Sequence, residues 1–161
     1  MALASKKQVL VVAAHPDDEV LGCGGTIARH ADSGDQAQVL IVAEGSTSRQ
    51  LERDRAQVRD ELSALAKAAK TAGPILGAAG VELLDLPDNR LDSLDRLDLI
   101  KLIEECVERH QPECVYVHHA GDLNVDHRRL HEAVVTACRP TPGHAVKRLR
   151  SFEVASSTEW E

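Results

Sequence analysis

Near the N-terminus, one histidine and three acids stand together directly after an apolar run. His-Pro-Asp-Asp-Glu occupies residues 15–19 and follows Val-Leu-Val-Val at residues 9–12, a pattern typical of a strand buried on both faces. Burying these charges without a counter-ion would cost on the order of several kcal/mol per group. A divalent cation would compensate them, because zinc accepts one imidazole plus carboxylates as ligands. The alternative is an acidic helix N-cap at Asp17 or Asp18, which leaves His15 without a role.

The rest of the chain must position this cluster, and its strand and helix patterns alternate. The predicted strands are Gln8–Ala14, Gln38–Ala43, Val81–Leu86, Cys114–His118 and Arg148–Ala155, and the predicted helices are Leu21–Ser33, Arg49–Ala72, Leu94–His110 and one from His127 or Arg128 to Cys138. This alternation predicts an α/β fold: a Rossmann-like, doubly wound, mostly parallel sheet of about five strands with helices on both faces. We expect residues 1–161 to form one domain.

A second polar cluster, residues 122–127 (Asp-Leu-Asn-Val-Asp-His), follows the fourth predicted strand. Doubly wound sheets bind ligands outside the carboxyl ends of their strands, where the strand order reverses. With the order 3-2-1-4-5, strands one and four are neighbours, so the two polar clusters should meet. His15, Asp18 and His127 would then give zinc two nitrogens and one carboxylate oxygen and leave a position for water, the ligand count of catalytic zinc. We expect one Zn²⁺ per chain.

The remaining carboxylates near this site suggest how water would be activated. Asp17, beside the metal but not bound to it, is the expected general base, and the metal would polarise an amide carbonyl. Asp126 is expected to orient a ring nitrogen or to assist the leaving group.

Two separated motifs resemble those of the LmbE-like (PIG-L) zinc-dependent N-deacetylases. The first is residues 14–19 continued by Leu-Gly-Cys-Gly-Gly-Thr at 21–26, and the second is Gly-Asp-Leu-Asn-Val-Asp-His-Arg at 121–128. That family removes acetyl groups from N-acetylglucosamine-type sugars on varied aglycones. The resemblance therefore implies a metal-dependent amide hydrolase, with the same metal ligands and the same general base as above. It extends over nearly the whole chain.

The resemblance also bears on residues around the metal. Many family members carry a histidine three residues before the last ligand, where it helps to stabilise the oxyanion, but this chain has Asn124. An asparagine amide can donate a hydrogen bond to an oxyanion but cannot supply a proton, so Asp17 is the economical donor to the departing amine. Arg49, after strand two, resembles a substrate-binding arginine. Asp88 and Asn89, after strand three, are candidates to bind sugar hydroxyls.

Composition and charge limit the partners. The formal net charge is −7 and aromatic residues make up 2% of the chain, which disfavours a basic stripe or a base-stacking platform for nucleic acid. A small acetamido sugar is the expected partner, and the sequence leaves a homo-oligomer open. No signal peptide or run of eighteen apolar residues is visible, so we predict no membrane span and a cytoplasmic location. The four cysteines are predicted to be small buried hydrophobic residues.

Two other interpretations remain open at this point. A receiver-like signalling module would also place acids after strand one, but it needs a lysine after strand five and has no use for His15 and His127. A catalytically impaired or truncated family member would bind metal without turnover. A third, weaker resemblance to the family, Ser-Phe-Glu-Val at residues 151–154 leading to Ser-Thr-Glu-Trp at 157–160, ends one residue before the last residue, where relatives continue. We therefore expect the chain to lack their C-terminal segment.

Overall fold

A computed structural model of the chain describes residues 6–155, and the second part of the third motif, residues 157–160, lies outside them. The strands are β1 (Gln8–Ala13), β2 (Gln36–Ala43), β3 (Gly80–Leu86), β4 (Cys114–His118) and β5 (Arg148–Phe152), and the helices are α1 (Asp18–Asp32), α2 (Arg59–Ile75), α3 (Arg96–His110) and α4 (Val125–Ala137). All strand pairs are parallel, in the order β3-β2-β1-β4-β5. The predicted α/β class and strand order are confirmed.

The strand order reverses at β1, which pairs with β2 on one side and β4 on the other. Val11, for example, is in register with Val39 of β2 and with Tyr116 of β4. The segments after β1 and β4 therefore leave the same edge of the sheet side by side. Receiver-like modules use the order 2-1-3-4-5, so the observed order contradicts that interpretation.

The core has two layers, one on each face of the sheet. Successive residues of β1 alternate between them: Leu10 and Val12 pack with Ile103 of α3 and Leu130 of α4, whereas Val9 and Val11 pack with the helices of the other face. Burying each such side chain contributes roughly 1.5–3 kcal/mol. All four cysteines are buried and free, as predicted.

The second predicted helix, Arg49–Ala72, is wrong at its start. The helix begins at Arg59, and Leu51, which lies within the predicted range, is fully exposed. The buried carboxylate of Glu44 explains the difference, since it accepts hydrogen bonds from Arg53 Nε (2.7 Å) and forms an ion pair with Arg55 Nε (2.8 Å). These contacts hold the intervening segment as a loop at the end of β2.

Two glycines, Gly22 and Gly45, allow neighbouring segments of the chain to pack closely. A Cβ at Gly22 would overlap the ring of Phe152, so this glycine allows α1 to pack closely against the end of β5. Gly45 has φ +84, and a Cβ there would lie 2.8 Å from Cδ of Pro16. The turn after β2 is thereby packed against the turn that carries His15.

Among the helices of residues 6–155, none combines the length and hydropathy that a bilayer span requires.

Candidate active site

Three side chains from β1, α1 and α4 converge at the sheet edge. His15 follows β1, Asp18 is the first residue of α1, and His127 lies in the first turn of α4. Oδ2 of Asp18 lies 3.2 Å from His15 Nδ1 and 3.1 Å from His127 Nε2, and these two nitrogens are 3.4 Å apart. The structure thus brings together the three predicted ligands, and their atoms could hold one metal ion.

The opposite nitrogen of each imidazole faces a carboxylate. His15 Nε2 lies 3.1 Å from Oδ2 of Asp126 and 3.3 Å from Oδ1 of Asp88, and His127 Nδ1 lies 2.8 Å from Oδ2 of Asp122. Each acceptor favours the proton on the nitrogen that it binds, so in the neutral form of each imidazole the nitrogen facing Asp18 carries the lone pair. This donor set suits a divalent cation.

Burial and the neighbouring charges act in opposite directions on the pKa values of these three side chains. Burial alone would lower the pKa of His15, but hydrogen bonds and charges from Asp126 and Asp18 raise this pKa to about 10. Burial opposes the shift of His127 too, and Asp18 and Asp122 nonetheless raise its pKa. Hydrogen bonds from both histidines outweigh burial and lower the pKa of Asp18 far below its usual range.

Asp126 connects the three candidate metal ligands to the loop after β3. Its side chain is fully buried, Oδ2 accepts the Asn89 amide at 2.7 Å, and Oδ1 accepts the Leu91 amide at 2.9 Å. Asn89 takes φ 52, a left-handed conformation that asparagine tolerates better than most residues. Asp126 Oδ2 also lies 3.1 Å from His15 Nε2, and its role in orienting that ring stays a prediction.

Asn124 caps the helix that carries His127. Its Oδ1 accepts the amides of Asp126 (2.8 Å) and His127 (3.3 Å), while Nδ2 donates to Oδ1 of Asn89 at 2.9 Å. The sequence interpretation missed this role, although an asparagine just before a helical pattern is a recognised start signal. Donation to an oxyanion stays a prediction.

Asp17 has an exposed side chain and an unusual backbone conformation. Its φ of 156 and ψ of −30 are sparsely populated for a non-glycine residue, and its side chain makes no cap hydrogen bond to α1. The acidic N-cap alternative therefore fails at Asp17. Partial burial, and then the charge of Asp18, raise the pKa of the Asp17 carboxyl, and a higher pKa makes a carboxylate a better proton acceptor.

An open cleft of about 500 Å³ lies over the cluster. Eight of the nine predicted site residues line it, and the ninth, Asp126, is fully buried. The lining residues are His15, Asp17, Asp18, Gly45, Ser48, Arg49, Asp88, Asn89, Leu123, Asn124 and His127.

Arg49 is exposed in the cleft wall, whereas Asp88 is only 3% exposed and accepts the Ser48 amide at 3.0 Å. Asp88 is thus placed to orient His15.

His118 packs under the cluster, and the sequence placed it at the end of the fourth strand, close to the proposed metal, without assigning it a definite role. It is fully buried, its ring stacks on that of His127 at 3.7 Å, and its Nε2 accepts the Ala14 amide at 2.9 Å. Burial lowers the pKa of His118 to about 3, so the ring is neutral. His131, one turn beyond His127, binds the carbonyl of His118 at 2.7 Å.

Comparison with known proteins bears on this site. A family described as "PIG-L: GlcNAc-PI de-N-acetylase" matches residues 10–138, a range that contains the three converging residues and both polar clusters.

The similar proteins include two named as deacetylases and one named as a hydratase. The uncharacterized deacetylase YaiS of Escherichia coli is 29% identical, with 85% of this chain aligned to 71% of that protein. The probable N-acetyl-alpha-D-glucosaminyl L-malate deacetylase 2 of Bacillus anthracis is 27% identical over 99% of this chain and 70% of its own. The crystal structure of GalB, the 4-carboxy-2-hydroxymuconate hydratase of Pseudomonas putida, is 30% identical with a TM-score of 0.68, over 88% of this chain and 60% of that one.

Proposed function

We propose, on the premise that the chain belongs to the PIG-L family, that it is a zinc-dependent hydrolase. Its substrate would be an N-acetylglucosamine-type sugar or conjugate, from which it would remove the N-acetyl group. One zinc per chain, a single domain over residues 1–161 and a cytoplasmic location belong to the same proposal. The observation that carries it is the convergence of His15 Nδ1, Asp18 Oδ2 and His127 Nε2 under an open cleft with Asp17 at its edge.

His15, Asp18 and His127 would hold the metal, which when bound would supply Lewis acidity toward the amide carbonyl and water. Asp17 would take a proton from the attacking water, whose oxygen adds to the amide carbon. The second Nδ2 hydrogen of Asn124 is available to the developing oxyanion. Asp17 would then return its proton to the nitrogen as the carbon–nitrogen bond breaks. The products would be acetate and a free amine.

The walls of the cleft suggest where a sugar would bind. Arg49 and Asn89 are exposed on the lining and carry hydrogen-bond donors that suit sugar hydroxyls. Asp88 shares the lining, but its contacts with His15 Nε2 and the Ser48 amide favour positioning over substrate contact. The net negative charge and the small polar cleft support a small molecule, and not a nucleic acid, as the partner.

A second candidate function is water addition to a carbon–carbon double bond. It is favoured by the 30% identity to the hydratase GalB. Hydration also requires water and a base, so the same cluster would serve both reactions. The two differ in products, because only amide hydrolysis releases acetate.

One experiment separates these candidates. The purified chain, loaded with zinc, is assayed for acetate release from N-acetylglucosamine conjugates and for consumption of 4-carboxy-2-hydroxymuconate. Asp18→Ala is expected to lose both metal and activity, whereas Asp17→Asn keeps the metal and loses activity.

Each outcome has a distinct meaning. Acetate release that both variants abolish supports the proposal. Consumption of the muconate alone selects the hydratase. Zinc bound without either reaction selects the catalytically impaired alternative, and absence of zinc binding refutes the mechanism.

A further inference from the structure

The N-terminus of α1 is capped in an unusual way. An aspartate at an N-cap position ordinarily accepts the amides two or three residues later, but Asp17 does neither. Those amides are already engaged: the Val20 amide donates to the carbonyl of Asp17 at 3.0 Å, and the Glu19 amide faces its own carboxylate. The Asp17 carboxylate is left on the cleft lining.

Glu19 occupies the place that the Asp17 side chain leaves. Its Oε2 accepts the backbone amide of Asp17 at 3.0 Å, and its side chain is almost fully buried, with the residue 2% exposed. Among the described residues Glu19 has no ion pair with a cation, and it lies near the charges of Asp17 and Asp18. A buried carboxylate that has no cation partner and lies near other acids lowers the free energy of unfolding. We therefore expect Glu19 to have a role that offsets this cost.

We propose that Glu19 is a positioning residue that caps α1 in place of Asp17 and so keeps the Asp17 carboxylate in the cleft. The Asp17 amide is held from two sides, by Glu19 Oε2 and by the carbonyl of His15 at 3.0 Å. These bonds hold the backbone in its sparsely populated conformation. The catalytic part of this inference rests on the proposed function of Asp17 as the base.

The capping exchange is tested directly by a crystal structure of Glu19→Ala. With the glutamate removed, the Asp17 carboxylate is expected to turn onto the freed amide of residue 19, within about 3.2 Å. An Asp17 side chain that stays in the cleft would overturn the proposal. This measurement needs no substrate and holds whatever reaction the chain performs.

Kinetic measurements test whether loss of the Glu19 carboxylate impairs catalysis. Glu19→Ala is expected to lower kcat by about 100-fold, since misplacement of a reacting group by about 1 Å costs that much. KM, zinc content and Tm should stay close to those of the unaltered chain. Glu19→Gln retains an oxygen acceptor and should keep most of kcat. Glu105→Ala, on the exposed face of α3, is the control and should change nothing.

The remaining outcomes distinguish the positioning role of Glu19 from a purely structural role and from failure of the proposed function. An unchanged kcat in Glu19→Ala, or an equal loss in Glu19→Gln, refutes the positioning role. A Tm that falls in parallel with kcat also refutes it, because that indicates a merely structural residue. If the unaltered chain releases no acetate, the proposed function fails, while the crystal structure still decides whether Glu19 replaces Asp17 as the cap.

Discussion

Asp122 and His127 are joined by a hydrogen bond of 2.8 Å between Oδ2 and Nδ1, across the turn from β4 to α4. The same aspartate accepts the Asn124 amide through Oδ1 at 2.8 Å. One carboxylate therefore fixes both the ring orientation of a candidate metal ligand and the start of the helix that carries it.

Replacing Asp122 by asparagine should weaken zinc binding by about 10–100-fold, the usual effect of removing a carboxylate behind a histidine ligand. The amide is a poorer acceptor for the ring N–H, so His127 becomes a weaker donor to the metal. Competition with a chromophoric chelator measures the zinc Kd. Asp92→Asn, on an exposed residue, is the control, and equal Kd values for the two variants would contradict the assignment.

Zinc binding should release at least one proton at pH 8. His15 has a pKa of about 10 without metal, so its proton must leave before Nδ1 can bind zinc. Affinity is then expected to rise by about tenfold per pH unit below that pKa. Calorimetry in two buffers of different ionisation enthalpy counts the protons. The count should fall in Asp126→Asn, and a count of zero in the unaltered chain would contradict the pKa shift.

The metal-free protein should be more stable at pH 6 than at pH 10. A pKa raised on folding contributes stability that is fully present below the unfolded value, near 6.5, and is lost as the pH rises through about 10. Thermal unfolding in chelator at the two pH values measures the difference. Other groups titrate in this range, so the decisive comparison is His15→Gln, in which the pH dependence should shrink. An unchanged dependence would exclude His15 as its source.

Gly45→Ala should destabilise the fold more than Gly34→Ala. Both glycines have positive φ, +84 and +80, but only Gly45 faces a neighbour, Cδ of Pro16, at 2.8 Å from an added Cβ. We expect the strain of a positive φ in both variants, and roughly 1–3 kcal/mol of additional overpacking at Gly45. Denaturant unfolding gives both free energies. Similar values would show that Pro16 yields easily and that the turn is loosely packed.

The sequence was informative about the parts of the site that local pattern controls. His15 and Asp18 share one short turn, and His127 follows a strand whose neighbour the topology rules identify. The carboxylate that accepts the hydrogen bond from His127 could not be identified in this way. Asp122 was visible only as part of a polar cluster, because nothing local indicates that it accepts a hydrogen bond from His127.

Long-range contacts account for the other differences. His118 reads as the polar end of a strand, and its stacking on His127 depends on how α4 packs against β4. The start of α2 was wrong because Glu44 binds Arg53 and Arg55, and no periodicity encodes that ion-pair network. Local helix propensity was overridden there by a buried charge that needed partners.

The placement of Asp126 has a consequence for how such a protein could change over evolution. Because one carboxylate contacts His15 and also accepts the amides of Asn89 and Leu91, remodelling that loop for a new ligand would disturb the candidate metal ligands as well. The side chain of Arg49, in contrast, makes no hydrogen bond or ion pair among the contacts of residues 6–155, although the neighbouring Ser48 is bound to Asp88. New specificities should therefore arise more readily by exchange of the Arg49 side chain than by remodelling of the loop after β3.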